Sequence, residues 1–216
     1  MILILYTEIY KSSHNSILDT YLQSLPLEMQ QKAKAYIRWQ DQQASILGKL
    51  LVKNGFEIFN SIKDPLMHIE QNSYGRPFVK GELDFNISHS GKYVICVFSD
   101  MHKVGIDIEE MKPIDYLDFK SQMCDEEWNR LLLSNNKMDE FYKYWTSKEA
   151  VIKAIGKGLS IPLKSFIINN NETSMEQDFW FLTPLKIDKT YRCHLALNKK
   201  ISKEKMIIVR KDFPQL

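Results

Sequence analysis

The chain has 216 residues, 44% of them hydrophobic, and a formal net charge of +2 at pH 7. Such a chain can bury a sizeable core, which argues against global disorder, and its near balance of charge argues against a nucleic-acid-binding protein. Three widely spaced cysteines without a CxxC pair argue against both a disulfide framework and a cysteine zinc site.

The apolar runs and the N-terminal segment bear on the cellular location. No apolar run reaches the ~20 residues that cross a bilayer, and the opening segment MILILYTEIY lacks the basic leading residues of a signal peptide. We therefore expect a cytoplasmic protein that does not span a membrane, and we interpret residues 1–10 as the first strand.

A long helix is predicted after this strand, from Pro26 to Asn54. Apolar residues, Tyr36 and Ile37 among them, recur there at helical spacing between polar residues, and Asn54 begins an NGF sequence that is typical of a helix end. Apolar runs separated by turn residues then predict short strands. These strands cover residues 66–70, 77–80, 83–90, 91–100 and 103–110.

The second half of the chain begins with two helical patterns. The segment MCDEEWNRLLL has acidic residues at its start, where they suit a helix N-terminus, and MDEFYKYWTSKEAVIKAIG predicts a long helix that ends at Gly156. Strands are then predicted in the segments KSFIIN, DFWFLT, YRCHLALN and KMIIVRK. The repeated order of strand, helix and strands predicts an α+β fold with two similar lobes, residues 1–104 and 105–216.

Two carboxylates stand in the predicted strand GIDIEE. Alternate side chains of a strand share a face, so Asp107 and Glu109 lie side by side with Cα atoms roughly 6.6 Å apart, whereas Ile106 and Ile108 face a core. Two like charges at this distance require a nearby cation or a bound proton. The pattern is compatible both with a solvated face of an edge strand and with a cation site.

A third carboxylate, Glu149, lies on one stripe of the second long helix together with Trp145 and Lys153. It can form an ordinary Glu–Lys helical pair, worth ~0.3–0.5 kcal/mol, or complete an oxygen site of the kind that Mg²⁺ prefers. Lysines close to these acids would suit a phosphate-bearing ligand of that metal. They are Lys148, Lys153 and Lys157.

Four segments agree with one family. YGRP, FNISHSG, GIDIE and WTSKEAVIKAIGKGL resemble, in this order, the 4′-phosphopantetheinyl transferases of the long, Sfp-like type. The resemblance implies two lobes related by pseudo-twofold symmetry, a monomer, and coenzyme A bound in the cleft between the lobes. It also implies Mg²⁺-dependent transfer of the 4′-phosphopantetheine arm of coenzyme A to a serine of an apo acyl or peptidyl carrier protein, with release of adenosine 3′,5′-bisphosphate.

The family motifs imply metal and phosphate ligands by position. Asp107, Glu109 and Glu149 match the residues that would hold Mg²⁺ on the pyrophosphate of coenzyme A. Lys153 matches the residue that would contact the phosphate under attack, which makes it both a catalytic residue and a coenzyme A ligand. Lys112, in the segment MKPI, also fits the family pattern.

The resemblance further implies a general base and additional coenzyme A ligands. Glu127 matches an acidic position proposed as the general base, and Glu126 beside it or a water molecule is an alternative. His89 matches a residue that binds a phosphate of coenzyme A, and it is expected to be catalytic as well. The remaining coenzyme A ligands implied by the resemblance are Lys32, Ser45, Arg76 and Ser90.

One position departs from the family pattern. Members often carry a basic residue just before the position of Ser45, where this chain has Ala44. The departure implies that the 3′-phosphate of coenzyme A is held less tightly, or that Arg76 and Lys32 contribute more to its binding. Two other classes of protein are compatible with the acids: a Mg²⁺-dependent phosphohydrolase and a non-enzymatic module that binds coenzyme A or a carrier protein.

Overall fold

The computed structural model describes residues 1–81 and 83–213, apart from the side chains of Leu159 and Lys203. Helices and strands are both abundant, and the predicted α+β class is confirmed. None of the helices within this described part of the chain combines the length and the apolar character needed to cross a membrane.

The helices and strands have the following bounds. The helices are α1 His14–Tyr21, α2 Leu27–Lys34, α3 Trp39–Ile58, α4 Asp125–Leu133 and α5 Lys137–Ile155. The strands are β1 Ile2–Glu8, β2 Ile69–Gln71, β3 Pro77–Val79, β4 Asp84–Ser90, β5 Tyr93–Ser99, β6 Val104–Glu110, β7 Glu172–Met175, β8 Asp178–Pro184, β9 Tyr191–Leu197 and β10 Met206–Arg210.

The chain forms two compact units. Unit 1 holds Met1–Gln71, Pro77–Met101 and the residues from Ser202 onward, whereas unit 2 holds Asn72–Arg76 and His102–Ile201.

Unit 1 is built on a four-stranded sheet with the order β10-β1-β5-β4. Strand β10 runs parallel to β1, and the other neighbouring pairs are antiparallel. Helix α3 packs on β1, β4 and β5 and buries an apolar core against them. Strands β2 and β3 form a separate antiparallel pair. The strands predicted in this part of the chain are confirmed, except that most of the strand predicted at residues 66–70 is a 3₁₀ helix, Pro65–His68, and β2 begins only at Ile69.

The single helix predicted from Pro26 to Asn54 is wrong. Helix α2 ends at Lys34 and α3 begins at Trp39, because Arg38 has an extended backbone (φ −84°, ψ 131°) that interrupts the helix. Ile37, which was expected on an apolar helix face, lies in this break and is fully exposed. Helix α1 was not predicted.

Gly55 is not a helix end, as the NGF sequence suggested, because α3 continues through it to Ile58. A Cβ atom at Gly55 would stand 2.1 Å from Cζ of Phe98, which is far inside van der Waals contact. The glycine therefore serves the packing of α3 on the Phe98 ring and does not end the helix.

Unit 2 contains a four-stranded antiparallel sheet with the order β6-β9-β8-β7, and α5 packs on β6 and β9. The strand predicted in KSFIIN is wrong. A short 3₁₀ turn, Leu163–Ser165, overlaps the start of this segment. The carbonyls of Leu163 and Phe166 accept hydrogen bonds from the side chain of Lys148 and not from a neighbouring strand. Strand β7 was not predicted.

Candidate active site

Strand β6 carries Asp107 on the face that α5 covers. A Cβ atom on Gly105 would stand 2.1 Å from the backbone oxygen of Ala150 and 2.8 Å from Cβ of Ala154, so the glycine allows the helix to approach the strand closely. Because side chains alternate along a strand, Asp107 shares the face of Gly105. Asp107 is only 3% exposed, so the interpretation of a solvated strand face is wrong for this residue.

Two residues of α5 lie near Asp107. The ammonium Nζ of Lys153 donates a hydrogen bond of 2.6 Å to Oδ1 of Asp107. Burial raises the pKa of the Glu149 carboxyl, the negative charge of Asp107 raises it further, and Lys153 opposes this rise. The structure therefore brings two predicted carboxylates and the predicted lysine together as the α5–β6 polar group (Asp107, Glu149 and Lys153).

Glu109 lies further along the same face of β6. It is half-buried and stands opposite Arg192 of β9 in the antiparallel ladder. Within residues 1–81 and 83–213, no group of three or more His, Cys, Asp or Glu side chains is arranged to hold a metal ion. The role of Glu109 as a third metal ligand therefore stays a prediction.

Arg76 ties the end of α5 to the start of β6. Its Nε donates a hydrogen bond of 2.9 Å to the carbonyl of Lys153, and its Nη2 donates one of 3.0 Å to the carbonyl of Val104. Gly156 ends α5 in the left-handed conformation (φ 80°), and a Cβ atom there would stand 2.5 Å from Cδ of Arg76. Arg76 thus helps to orient Lys153, and its contact with coenzyme A stays a prediction.

His194 of β9, which the sequence patterns did not single out, fixes α5 to the sheet. Its Nδ1 lies 2.7 Å from Oγ1 of Thr146, and both residues are buried. Burial lowers the pKa of His194 to about 4, so the imidazole is neutral at pH 7. His194 stands opposite Asp107 in the ladder. This proximity depends on the register of β6 on β9, which the sequence patterns did not predict.

Glu127 and Lys148 form a buried ion pair. Nζ of Lys148, which is fully buried, lies 2.7 Å from Oε1 of Glu127 and also donates hydrogen bonds to the carbonyls of Leu163 and Phe166. Burial lowers the pKa of Lys148, and Glu127 opposes that decrease. Protein groups enclose the ammonium, so the prediction that Lys148 suits a phosphate-bearing ligand is wrong.

Glu127 also lines a pocket of about 290 Å³, together with Tyr144 and Ser147 among others. Its Oε2 accepts a hydrogen bond of 3.3 Å from the backbone N–H of Cys124, which completes a cap at the start of α4. Both carboxylate oxygens therefore have protein partners. The role of Glu127 as general base stays a prediction, as does that of the exposed Glu126.

The coenzyme A ligands predicted in unit 1 lie on α2, α3 and β4. Lys32 is exposed on α2, and Ser45 is half-buried on α3. His89 is exposed near the end of β4, whose last residue is the half-buried Ser90. Ala44, the position that departs from the family pattern, is 4% exposed and belongs to the apolar core of the unit.

Comparison with protein families and with known proteins agrees with the resemblance of the motifs. A family described as "4'-phosphopantetheinyl transferase superfamily" matches residues 103–204, and one described as "4'-phosphopantetheinyl transferase, N-terminal" matches residues 12–101. The first of these matches contains the whole α5–β6 polar group.

Similar proteins carry the same description. The 4'-phosphopantetheinyl transferase gsp of Aneurinibacillus migulanus is 34% identical over 175 residues, which cover 80% of this chain and 73% of the relative. The 4'-phosphopantetheinyl transferase Sfp of Bacillus subtilis (strain 168) is 34% identical over 154 residues, 69% of this chain and 68% of the relative. The L-aminoadipate-semialdehyde dehydrogenase-phosphopantetheinyl transferase of Xenopus laevis is 27% identical over 208 residues, with 80% and 68% covered. This chain therefore belongs to the 4′-phosphopantetheinyl transferase superfamily, as a transferase of the Sfp-like type.

Proposed function

We propose that this protein transfers the 4′-phosphopantetheine arm of coenzyme A to a serine hydroxyl of an apo acyl or peptidyl carrier protein and releases adenosine 3′,5′-bisphosphate. Family membership supports this class of reaction. The observation that carries the proposal for this chain is the α5–β6 polar group, in which Lys153 lies 2.6 Å from Asp107. Phosphoryl transfer depends mainly on positioned charges of this kind.

The proposal includes Mg²⁺ because the donor set fits this ion. Asp107 adds to the effect of burial on the pKa of Glu149, so the two carboxylates repel each other, and a divalent cation would relieve that repulsion. Mg²⁺ prefers oxygen ligands, and Asp107, Glu149 and Glu109 would hold it. When bound, the ion would neutralise negative charge on the pyrophosphate.

Lys153 would act on the phosphate that the serine attacks. Its side chain is 27% exposed, so the ammonium can reach a ligand from its position beside Asp107. A lysine is a compact positive charge that would stabilise the equatorial oxygens of the phosphate in the transition state. The hydrogen bond from Arg76 to the carbonyl of Lys153 would keep this turn of α5 in place.

The serine proton needs an acceptor, and Glu127, Glu126 and water are the alternatives. Oε1 of Glu127 contacts Lys148, and Oε2 accepts a hydrogen bond from Cys124. A proton on this carboxylate would compete with both contacts, which favours a structural role for Glu127. Glu126 is exposed on α4 and has no such constraint from the Lys148 ammonium.

The remaining proposed contacts of coenzyme A are polar and accessible. The exposure of Lys32 and His89 and the partial exposure of Ser45, Ser90 and Arg76 support them. Arg76 is proposed to bind the adenosine end and His89 a phosphate. A cytoplasmic location and a monomeric state stay predictions.

Mass spectrometry of carrier proteins tests the proposed function. Several purified apo acyl and peptidyl carriers are incubated with this protein, coenzyme A and Mg²⁺, with parallel samples that contain a chelator. We expect at least one carrier to gain the mass of the phosphopantetheine arm at its serine, and the chelator to abolish the gain. Free phosphopantetheine without a modified carrier, or coenzyme A binding without any reaction, would contradict the proposal.

Replacing Lys153 by methionine is expected to lower the kcat of transfer by about 100-fold or more, because a cation positioned for the transition state is lost. The variant also leaves the buried Asp107 carboxylate without its cation, so its stability is expected to fall, and kcat is compared at a temperature at which circular dichroism shows the variant to be folded. Lys103→Met is the matched control, because Lys103 also pairs with an aspartate of unit 2, Asp178, at 3.0 Å. An equal kcat in the two variants would show that Lys153 forms only an ordinary ion pair with Asp107 and has no role in catalysis.

A further inference from the structure

Another pocket, of about 300 Å³, lies within unit 1. Its lining comes from the end of β1, from α1 and α3, and from the segment that follows β10. We call it the α1–α3 pocket. None of the described residues that line it is a predicted ligand of coenzyme A or of the metal ion. The proposed function therefore gives this pocket no role.

Two helical stripes meet in the α1–α3 pocket. Ser13 and Ile17 stand four residues apart at the start of α1, so they share one stripe of that helix. Gln43 and Leu47 have the same spacing on α3. Nε2 of Gln43 donates a hydrogen bond of 3.1 Å to Oγ of Ser13, which joins the two stripes. None of these four residues is more than 4% exposed, so the pocket reaches into the interior of the unit.

The side chain of Gln43 has a defined orientation and an unpaired oxygen. The hydroxyl of Ser13 donates its single proton to the carbonyl of Tyr10, at 3.0 Å, so its Oγ accepts from Gln43. Nε2 of Gln43 is thus turned towards Ser13. Oε1 of Gln43 is buried, and nothing in the part of the chain that the structure describes donates a hydrogen bond to it. Because buried polar atoms are nearly always paired in folded proteins, this oxygen indicates a donor from outside the chain.

Thr7 adds a hydroxyl to the same pocket. It shares the strand face of Leu5, which belongs to the apolar core of the unit, and it is 2% exposed. A hydroxyl can donate a hydrogen bond to a carbonyl, whereas Oε1 of Gln43 can only accept one. The pocket thus combines a donor and an acceptor with the apolar side chains of Ile17 and Leu47. Such a lining is typical of sites in which a few polar groups orient an organic molecule.

The charged groups at the rim of the pocket neutralise one another. The guanidinium of Arg210 lies 2.8 Å from Oε1 of Glu8 and 2.9 Å from Oδ1 of Asp212. The hydroxyl of Tyr10 donates a hydrogen bond of 2.6 Å to Oε2 of Glu8, and Nζ of Lys92 lies 3.6 Å from the same oxygen. These two carboxylates thus face two cations, so this rim holds no spare charge that would favour an ionic ligand.

We propose that the α1–α3 pocket binds a small neutral carboxamide. The N–H group of this ligand would donate to Oε1 of Gln43, and its carbonyl would accept from the hydroxyl of Thr7. Its short alkyl chain would pack on Ile17 and Leu47. A water molecule would also satisfy Oε1, but it would gain nothing from the apolar part of the lining. The proposal does not depend on the proposed function.

Two probes of equal shape test the hydrogen bond to Gln43. Butyramide and 2-pentanone are both neutral, and they differ in that a methyl group of the ketone replaces the NH₂ group of the amide. In NMR titrations of the full-length protein, butyramide is expected to shift the side-chain NH₂ signal of Gln43 and the backbone amide signals of Thr7 and Leu47 in a saturable way. 2-Pentanone is expected to bind about 10-fold or more weakly, because it leaves the buried oxygen unpaired.

Replacing Gln43 by methionine removes the acceptor and keeps an unbranched side chain of similar length. The two probes are expected to bind to this variant with affinities within about twofold of each other, because the group that distinguishes them is gone. Gln42→Met is the matched control, since Gln42 is a half-buried glutamine of the same helix that does not line the pocket. This control is expected to keep the preference for butyramide.

Three results would overturn the proposal. They are the absence of saturable shifts at the pocket residues of the wild-type protein, equal wild-type affinities for the two probes, and a preference for butyramide that persists in Gln43→Met. The first two need only the wild-type protein, so the test stands even if Gln43→Met does not fold. A wild-type protein that prefers butyramide at this pocket but modifies no carrier would refute the proposed function and leave the carboxamide site supported.

Discussion

Replacing Asp107 by asparagine is expected to lower the rate of phosphopantetheine transfer by at least about 1,000-fold, because the change removes the charge proposed to hold the metal ion. Asparagine keeps the size of the side chain, so the packing of α5 on β6 is expected to persist. The stability is expected to change little, since the Lys153 side chain is 27% exposed and water can solvate its ammonium. Mass spectrometry of the carrier measures the rate, and circular dichroism measures the fold.

A second observable in this variant does not depend on activity. The charge of Asp107 adds to burial in raising the pKa of Glu149, so the pKa of Glu149 is expected to fall in Asp107→Asn, although burial still holds it above the ordinary value. An NMR titration of the Glu149 carboxyl measures this change. An unchanged pKa would show that the two carboxylates are not neighbours in solution.

Asp178→Asn provides the matched control for Asp107→Asn. It makes the same chemical change in another aspartate that pairs with a lysine, at 3.0 Å, in the same unit. Wild-type transfer is expected in the control, because Asp178 lies outside the α5–β6 polar group. Near-wild-type transfer by Asp107→Asn, or an equal loss in both variants, would contradict the assignment of Asp107.

Replacing Lys148 by methionine is expected to lower the free energy of unfolding by about 3–5 kcal/mol, because it leaves the Glu127 carboxylate buried without its cation. The carbonyls of Leu163 and Phe166 would also lose their donor. Denaturant unfolding of the purified variant measures the change. A loss below about 1 kcal/mol, the range of an exposed pair, would contradict the buried ion pair.

The double variant Glu127→Gln/Lys148→Met separates the two roles considered for Glu127. It removes both buried charges, so it is expected to be more stable than Lys148→Met alone, by roughly 1 kcal/mol or more. If Glu127 only supports the structure, the folded double variant is expected to have a kcat of transfer close to the wild-type value. If Glu127 is the general base, the kcat stays about 100-fold or more below the wild-type value in the folded double variant.

Local sequence patterns were sufficient to predict the strand and the helix that carry the family motifs. The alternation of GIDIEE predicted β6, and the stripe of Trp145, Glu149 and Lys153 predicted α5 with its end at Gly156. Both faces of β6 are buried: Ile106 and Ile108 lie on one, and Gly105 and Asp107 lie under α5 on the other. The motifs on them also carried the resemblance to the family, which the comparisons confirm.

Patterns failed where a residue has a partner that is distant in the sequence. Ile37 has the spacing of a helix residue but lies in the break between α2 and α3. The segment KSFIIN has the composition of a strand, yet the carbonyl of its Phe166 accepts a hydrogen bond from Lys148. No local signal showed that β10 pairs in parallel with β1, since that pairing depends on contacts across the whole chain.

The periodicity of this sequence determined an α+β fold with three acids and a lysine on two specific elements, and the resemblance of its motifs to a family implied a transferase. Only the tertiary structure decided which of those groups meet. Asp107 is buried beside Glu149 and Lys153 because Gly105 lets α5 approach β6, whereas Lys148, on the same helix, is directed into the protein interior towards Glu127. Helical periodicity specifies which side chains share a face, but the face that meets a neighbour depends on close packing between elements far apart in the chain.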